Sequence, residues 1–354
     1  MQATERAPRL TSSQVKAEAA ATGFDLCGIA PAGDFQELRF LRDWLDRGYA
    51  GEMHYMHRTA ERRASVLAVM PSARSVISLG VVYNTPRPYS TENDDPTRAA
   101  IARYAWGDDY HVVIEGRLRQ LRERLRAAAG EDFEARAYVD TGPVQERVYA
   151  QQAGLGWIGK NTCLINPDLG SWIFLAEIIC SLPLEPDRPV FDHCGTCTRC
   201  LDACPTGALV EPRVLDATRC LSYLTIEIKG PIPPEHRDSI GEHAYGCDIC
   251  QEVCPWNLTP DMAESDTAWL PRPGLDAPRL LDLWNRTDDE LRALLKGSAM
   301  KRAGVRRLRR NLAVAIGNSK DRSAAASLRA QAEPTSTDAL VAEHVAWGVE
   351  KLGG

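Results

Sequence analysis

CGTCTRCLDACP, residues 194–205, sets Cys194, Cys197, Cys200 and Cys204 at the spacing C-x2-C-x2-C-x3-C and closes with Pro205. Three thiolates two residues apart wrap one iron–sulfur cubane within a tight turn, and the proline holds the fourth away. CDICQEVCP, residues 247–255, repeats the end of the pattern with Cys247, Cys250 and Cys254, while Cys220 stands 27 positions upstream of Cys247. In two-cluster proteins the fourth cysteine of a run serves the other cluster. Cys194, Cys197, Cys200 and Cys254 are therefore assigned to one 4Fe-4S cluster, and Cys220, Cys247, Cys250 and Cys204 to the other. Structural zinc would use paired CxxC knuckles separated by a loop, which a third cysteine before CP does not suit. A disulfide framework needs an oxidising compartment and usually a short secreted chain.

Working outward, the 354 residues are enough for two or three domains. A composition of 44% hydrophobic and 25% charged residues is ordinary for a soluble globular protein. The N-terminus has no basic region followed by an apolar core, and no apolar run is long enough to span a bilayer. A cytoplasmic protein with no membrane partner is expected, monomeric by default. The net charge of −6 excludes a molecule that is basic overall, yet residues 301–310 (KRAGVRRLRR) hold Lys301, Arg302, Arg306, Arg307, Arg309 and Arg310 without an acid. Taken alone such a run reads as a solvated helix face; the alternative is a local patch for phosphates.

Before the cysteines the sequence alternates strand and helix signals. Thr11 and Gln14 form a capping box that predicts a helix over 12–22. FDLCGIA and SVISLGVVY (75–83) read as strands, and Leu38, Leu41, Trp44 and Leu45 make one apolar helical stripe. Leu118, Leu121 and Leu125 mark a helix running to Gly130, ARAYV is a strand ending at Asp140, and Pro143 suits the start of a helix over 144–153. TCLINP and SWIFLAEII read as a hairpin. The expected class is α+β: an N-terminal α/β domain over 1–185, a ferredoxin-like domain with two clusters over 186–262, and a helical region over 275–354.

GLGWIGK (154–160) matches GxGxxG and nearly matches a phosphate loop. A nucleotide loop needs a strand before it and a helix after, whereas here a helix precedes and a strand follows. The glycines are read as a turn that lets something pack closely on backbone. Asp140, at a strand end before Thr-Gly-Pro, suits a turn or cap, or an acid beside a redox centre if burial raises its pKa. Asp109-Tyr110-His111 begins like the DxHxxG motif that offers histidine to cobalamin's cobalt, but position 114 is Ile. His54, His57 and His111 are read as polar or core residues, and Cys27, Cys163 and Cys180 as isolated small ones.

YVDTGPVQERVYAQQAGLGWIGKN, GSWIFLAEI, CGTCTRCLDACPTGAL, RCLSYLTIE and YGCDICQEVCPWN, in that order, resemble epoxyqueuosine reductases across nearly the whole chain, and RRLRRNLAVAIGN looks like their HEAT-like helical tail. The resemblance implies an enzyme with base-off cobalamin and two 4Fe-4S clusters. It would reduce epoxyqueuosine to queuosine at the tRNA wobble position, the last step of queuosine biosynthesis. The implied partners are tRNA carrying epoxyqueuosine and an external low-potential electron donor such as a flavodoxin or ferredoxin. Asp140 falls at the family's proton donor, where burial against the corrin is expected to keep it protonated. Arg63, Asp140, Leu164, Leu175, Ser222 and Asp248 fall at cobalamin contacts. The cations of 301–310, with Lys229, become candidates for tRNA phosphates. The competing readings are a corrinoid reductive dehalogenase, which usually carries an export signal, and a dicluster electron carrier, which does not need some 190 residues before its clusters.

Overall fold

The computed structural model describes residues 10–130, 132–257, 266–335 and 338–353. The reading of the first nine residues and the expected domain edge at 262 lie outside them. Four strands form one sheet in the order Leu26–Pro31, Ser75–Val82, Ile173–Cys180, Ala135–Tyr138. Every neighbouring pair is antiparallel. This corrects the α/β expectation for the N-terminal region. Ile173–Cys180, last in sequence, inserts between two earlier strands and runs against both, so the layer is mixed helix and antiparallel sheet.

Side chains alternate across a strand, and both faces of this sheet are covered. Ile77, Leu79, Val81, Ala176 and Ile178 share a core with Ile114, Leu118, Leu121 and Leu125 from the helix Tyr110–Ala129. Val76 and Ile179 face the opposite core, with Val148, Tyr149 and Ala150 from the helix Glu146–Gln152. Each fully buried leucine contributes about 1.5–3 kcal/mol of transfer free energy. Burial on both sides explains why 75–83 reads as an unbroken apolar run.

The first helix spans Ser12–Ala21 and carries the Thr11–Gln14 capping box. The long helix ends at Gly130, whose φ of 64° is the left-handed cap its sequence position requires. The expected hairpin does not form: Leu164–Ile165 pairs with Trp157–Ile158, and Ile173–Cys180 joins the main sheet. A single bridge, Asn166 to Gly170, links the two segments.

Helices Leu280–Trp284, Asp288–Leu295, Gly304–Asn318, Ala324–Thr335 and Ala339–Lys351 build the C-terminal region. Their core, with Trp284, Leu312, Ile316, Leu328 and Val345, also takes in Ile101, Trp106 and Tyr245. His243–Tyr245 lies parallel to Ala100–Ile101. The segment between the cysteine runs is thereby tied to both the N-terminal layer and the helical tail.

Candidate active site

The eight cysteines of the two runs lie near one another in the structure. Cys200 lies within electrostatic reach of Cys194 and Cys197, and Cys254 of Cys194 and Cys200. Cys220 has Cys204 as a neighbour, Cys247 has Cys220, and Cys250 has both Cys247 and Cys220.

GLGWIGKN serves as a clasp on the cysteine loops. Lys160 Nζ donates to the carbonyls of Gly195 at 2.7 Å and Cys197 at 2.9 Å, and Asn161 Nδ2 to that of Cys250 at 3.1 Å. Trp157 Nε1 donates to Cys194 Sγ at 3.5 Å. A Cβ on Gly156 would stand 2.1 Å from the Ile165 carbonyl oxygen, so only glycine permits that approach. Cys163 is less isolated than its sequence suggests, since its thiol lies beside that of Cys250.

A cavity of about 890 Å³ opens between the sheet layer, the cysteine segment and the helical tail. Its walls bring Asp140 and Ser222 together with Cys220, an assigned cluster ligand. Tyr55, Tyr110, Tyr223 and Tyr245 supply aromatic surface, and Lys301, Arg302, Arg119 and Arg122 supply positive charge. Such a cavity is at the upper end of small-molecule sites.

Asp140 stands on a tight turn after the strand Ala135–Tyr138, with a φ of 56° that is unusual for a residue other than glycine. Its Oδ2 accepts from Tyr110 Oη at 2.9 Å and faces His111 Nε2 at 3.2 Å. His111 Nδ1 lies 2.8 Å from Asp109 Oδ1, and Lys301 Nζ 2.5 Å from Asp109 Oδ2. Burial raises the Asp140 carboxyl, but the bonds from His111 and Tyr110, with the charges of His111 and Arg302, outweigh it and hold the pKa below the usual range. Burial lowers His111, yet its bonds to Asp140 and Asp109 leave it raised. This corrects the expectation of a proton kept on Asp140 by burial. Its side chain is 55% exposed to the open cavity, and the proton rests on the His111 side of the pair. The Asp-Tyr-His signal was visible in sequence, but the partner 29 residues away was not.

Four other expected cofactor contacts fall outside this lining. Arg63 donates to the carbonyl of Val144, Leu164 is buried in the core beneath the sheet, and Leu175 packs beside it. Asp248 is buried and accepts the Arg103 N–H at 2.6 Å. His111, the histidine lining the cavity among the described residues, has both ring nitrogens engaged and offers none to a metal.

The run 301–310 divides, and two of the expected tRNA contacts are corrected. Arg309 and Arg310 are 3% and 0% exposed. Arg309 donates to the carbonyls of Trp284 and Arg286, and Arg310 to those of Leu224, Ile228 and Gly230. Neither can reach a phosphate. Arg307 is half spent on the carbonyls of Ala303 and Ile226. Lys301, Arg302 and Arg306 are exposed, each beside one carboxylate, and Lys229 is exposed.

Two gathered sets of four cysteines, one reaching an acid-bearing cavity, define a dicluster iron–sulfur protein with a substrate site. A model described as "4Fe-4S double cluster binding domain" matches residues 193–257, and one described as "Epoxyqueuosine reductase QueG, DUF1730" matches 63–141. Epoxyqueuosine reductase from Xanthomonas campestris pv. campestris is 41% identical over 351 residues, covering 98% of this chain and 97% of that one. A crystal structure of epoxyqueuosine reductase with an epoxyqueuosine-modified tRNA-Tyr stem loop is 30% identical, with TM-score 0.81, covering 97% and 98%. The Bacillus subtilis enzyme, with its catalytic aspartate loop swung out of the active site, is 31% identical, with TM-score 0.84, covering 97% and 90%. The chain belongs to the epoxyqueuosine reductase family. Among the described residues no helix is long and apolar enough to cross a membrane.

Proposed function

We propose that this protein reduces epoxyqueuosine to queuosine at the wobble position of tRNA, completing queuosine biosynthesis. The observation that carries this is one cavity holding both Asp140, with its His111 and Tyr110 partners, and Cys220. Converting an epoxide to an alkene consumes two electrons and two protons and releases water. The cavity's aromatic and basic walls suit a flipped base entering from an anticodon loop, with Lys301, Arg302 and Arg306 toward the phosphates. Base-off cobalamin would supply the two-electron reducing chemistry, with Ser222 and Asp140 lining its site and Arg63, Leu164, Leu175 and Asp248 supporting the walls behind them.

In this reading the proton held by His111, which is fixed by Asp109 and Lys301, passes through Asp140 to the departing oxygen. The turn bearing Asp140 is the element that would swing, as in the Bacillus subtilis relative. Electrons enter from an external low-potential carrier at the Cys194–Cys200 face, where Lys160 and Arg199 line an open cleft with no lining carboxylate among the described residues. The reading further divides the chain into the expected domains, 1–185, 186–262 and a HEAT-like 275–354, acting as a cytoplasmic monomer.

The test is anaerobic turnover of tRNA bearing epoxyqueuosine by reconstituted protein with cobalamin and a low-potential reductant, read by mass spectrometry of the nucleosides. Asp140→Asn, with cluster absorbance intact, is expected to lose roughly 10²–10⁴-fold in rate. An unchanged rate removes Asp140 as the acid, and wild-type protein that loads its cofactors but leaves the nucleoside untouched removes the substrate.

A further inference from the structure

Behind the Asp140 turn lies a pair of carboxyls that the chemistry above leaves unused. Glu177 sits within the strand Ile173–Cys180, opposite Ser78 on one neighbour and Tyr138 on the other. It is 1% exposed, and neither of its oxygens meets a donor N–H or O–H among the described residues. Its polar neighbour is the carboxyl of Glu146, in the first turn of Glu146–Gln152. Glu146 Oε1 in turn accepts the backbone N–H of Asp140 at 2.5 Å. An ionised carboxylate without a donor is costly inside a sheet, and two carboxyls in contact do not both ionise.

We infer that Glu146 and Glu177 share one proton and that this proton latches the Asp140 turn over the cavity. Glu177 O–H donates to one oxygen of Glu146, whose other oxygen holds the Asp140 amide. The turn needs such a hold. Asp140 is in the left-handed region, and Gly142 folds back so tightly that a Cβ would stand 2.5 Å from the Tyr138 ring.

Burial first, then the charge of neighbouring carboxylates, pushes both carboxyls above their ordinary range. The Asp140 carboxylate favours keeping the proton, whereas the Asp140 N–H bonded to Glu146, Arg63 and Arg147 oppose it. Asp140 is itself held by His111, Tyr110 and Arg302. Because the folded pKa values are raised, the latch holds while the pair keeps its shared proton and is lost as pH rises through the upper of them. Two carboxylates then repel, Glu146 turns toward the cavity, and the Asp140 amide is freed. Asp140's catalytic role is taken from the reading above; the latch itself does not depend on it.

Hydrogen exchange of the full, cluster-reconstituted protein tests this without turnover. After division by the intrinsic rate, exchange in residues 139–146 is expected to rise roughly tenfold per pH unit above the pair's titration, while the strand Ser75–Val82 stays protected. Glu177→Gln, whose amide donates to Glu146 at every pH, is expected to flatten this dependence. Glu146→Gln, which still accepts from Asp140 and donates toward Glu177, is expected to do the same and serves if the first variant fails to fold. Flat exchange in the wild type, or an unchanged pH dependence in the folded Gln variants, overturns the latch. Failure to reduce epoxyqueuosine with the latch intact counts against the function instead.

Discussion

Arg302 and Arg310 lie eight residues apart in one basic run, yet they belong to opposite environments. Arg302 stands at the cavity rim, half exposed and held by both oxygens of Glu227 at 2.8 and 2.9 Å. Arg310 is fully buried and spends its guanidinium on carbonyls of Leu224, Ile228 and Gly230, stapling the helix Gly304–Asn318 to the segment just after Cys220. The contrast shows that a count of cations measures neither a phosphate site nor a structural one. What decides is whether each side chain finds water or backbone at the end of its reach, since a planar fork with five donors serves either.

The division can be broken at either end. The largest effect is expected from Arg310→Met, which leaves three carbonyls without their donor. Chemical denaturation should show a loss of about 3 kcal/mol or more, and a loss under about 1 kcal/mol would return Arg310 to the surface class. Next comes Arg302→Glu, for which tRNA affinity should fall about tenfold and the salt dependence should weaken by about one counterion. A titration over salt concentration reads this directly; an unaltered slope would take Arg302 out of the interface. The smallest effect belongs to Arg306→Ala, which breaks an exposed pair with Asp338. Stability should change by less than about 1 kcal/mol, and a larger drop in melting temperature would place Arg306 with the buried arginines.

Legibility in the sequence followed the length scale of each feature. The capping box at Thr11, the left-handed end at Gly130 and the buried strand 75–82 depend on contacts within a few residues, and spacing alone exposes them. The TCLINP–SWIFLAEII hairpin failed for the opposite reason. Both segments suit strands, but their partners are chosen by a sheet position open between Ser75–Val82 and Ala135–Tyr138, which no local signal encodes. In GLGWIGKN a helix precedes and a strand follows, as read from the sequence, and Gly156 packs against backbone. The segment's grip on the cysteine loops became visible only when those loops stood beside it.

By itself the sequence determined the double-cluster cysteine domain, much of the antecedent strand-and-helix layer and the family to which the chain belongs. Cysteine spacing does this because a cluster imposes its own geometry on the few residues that hold it. Only the tertiary structure decided which protons and charges face the cavity. Asp140 meets His111 from 29 positions earlier and Glu146 from six later, with Glu177 behind them, and two arginines of the basic run turn inward. Protonation depends on burial and on neighbours brought together by folding, and neither is written in the order of residues along one segment.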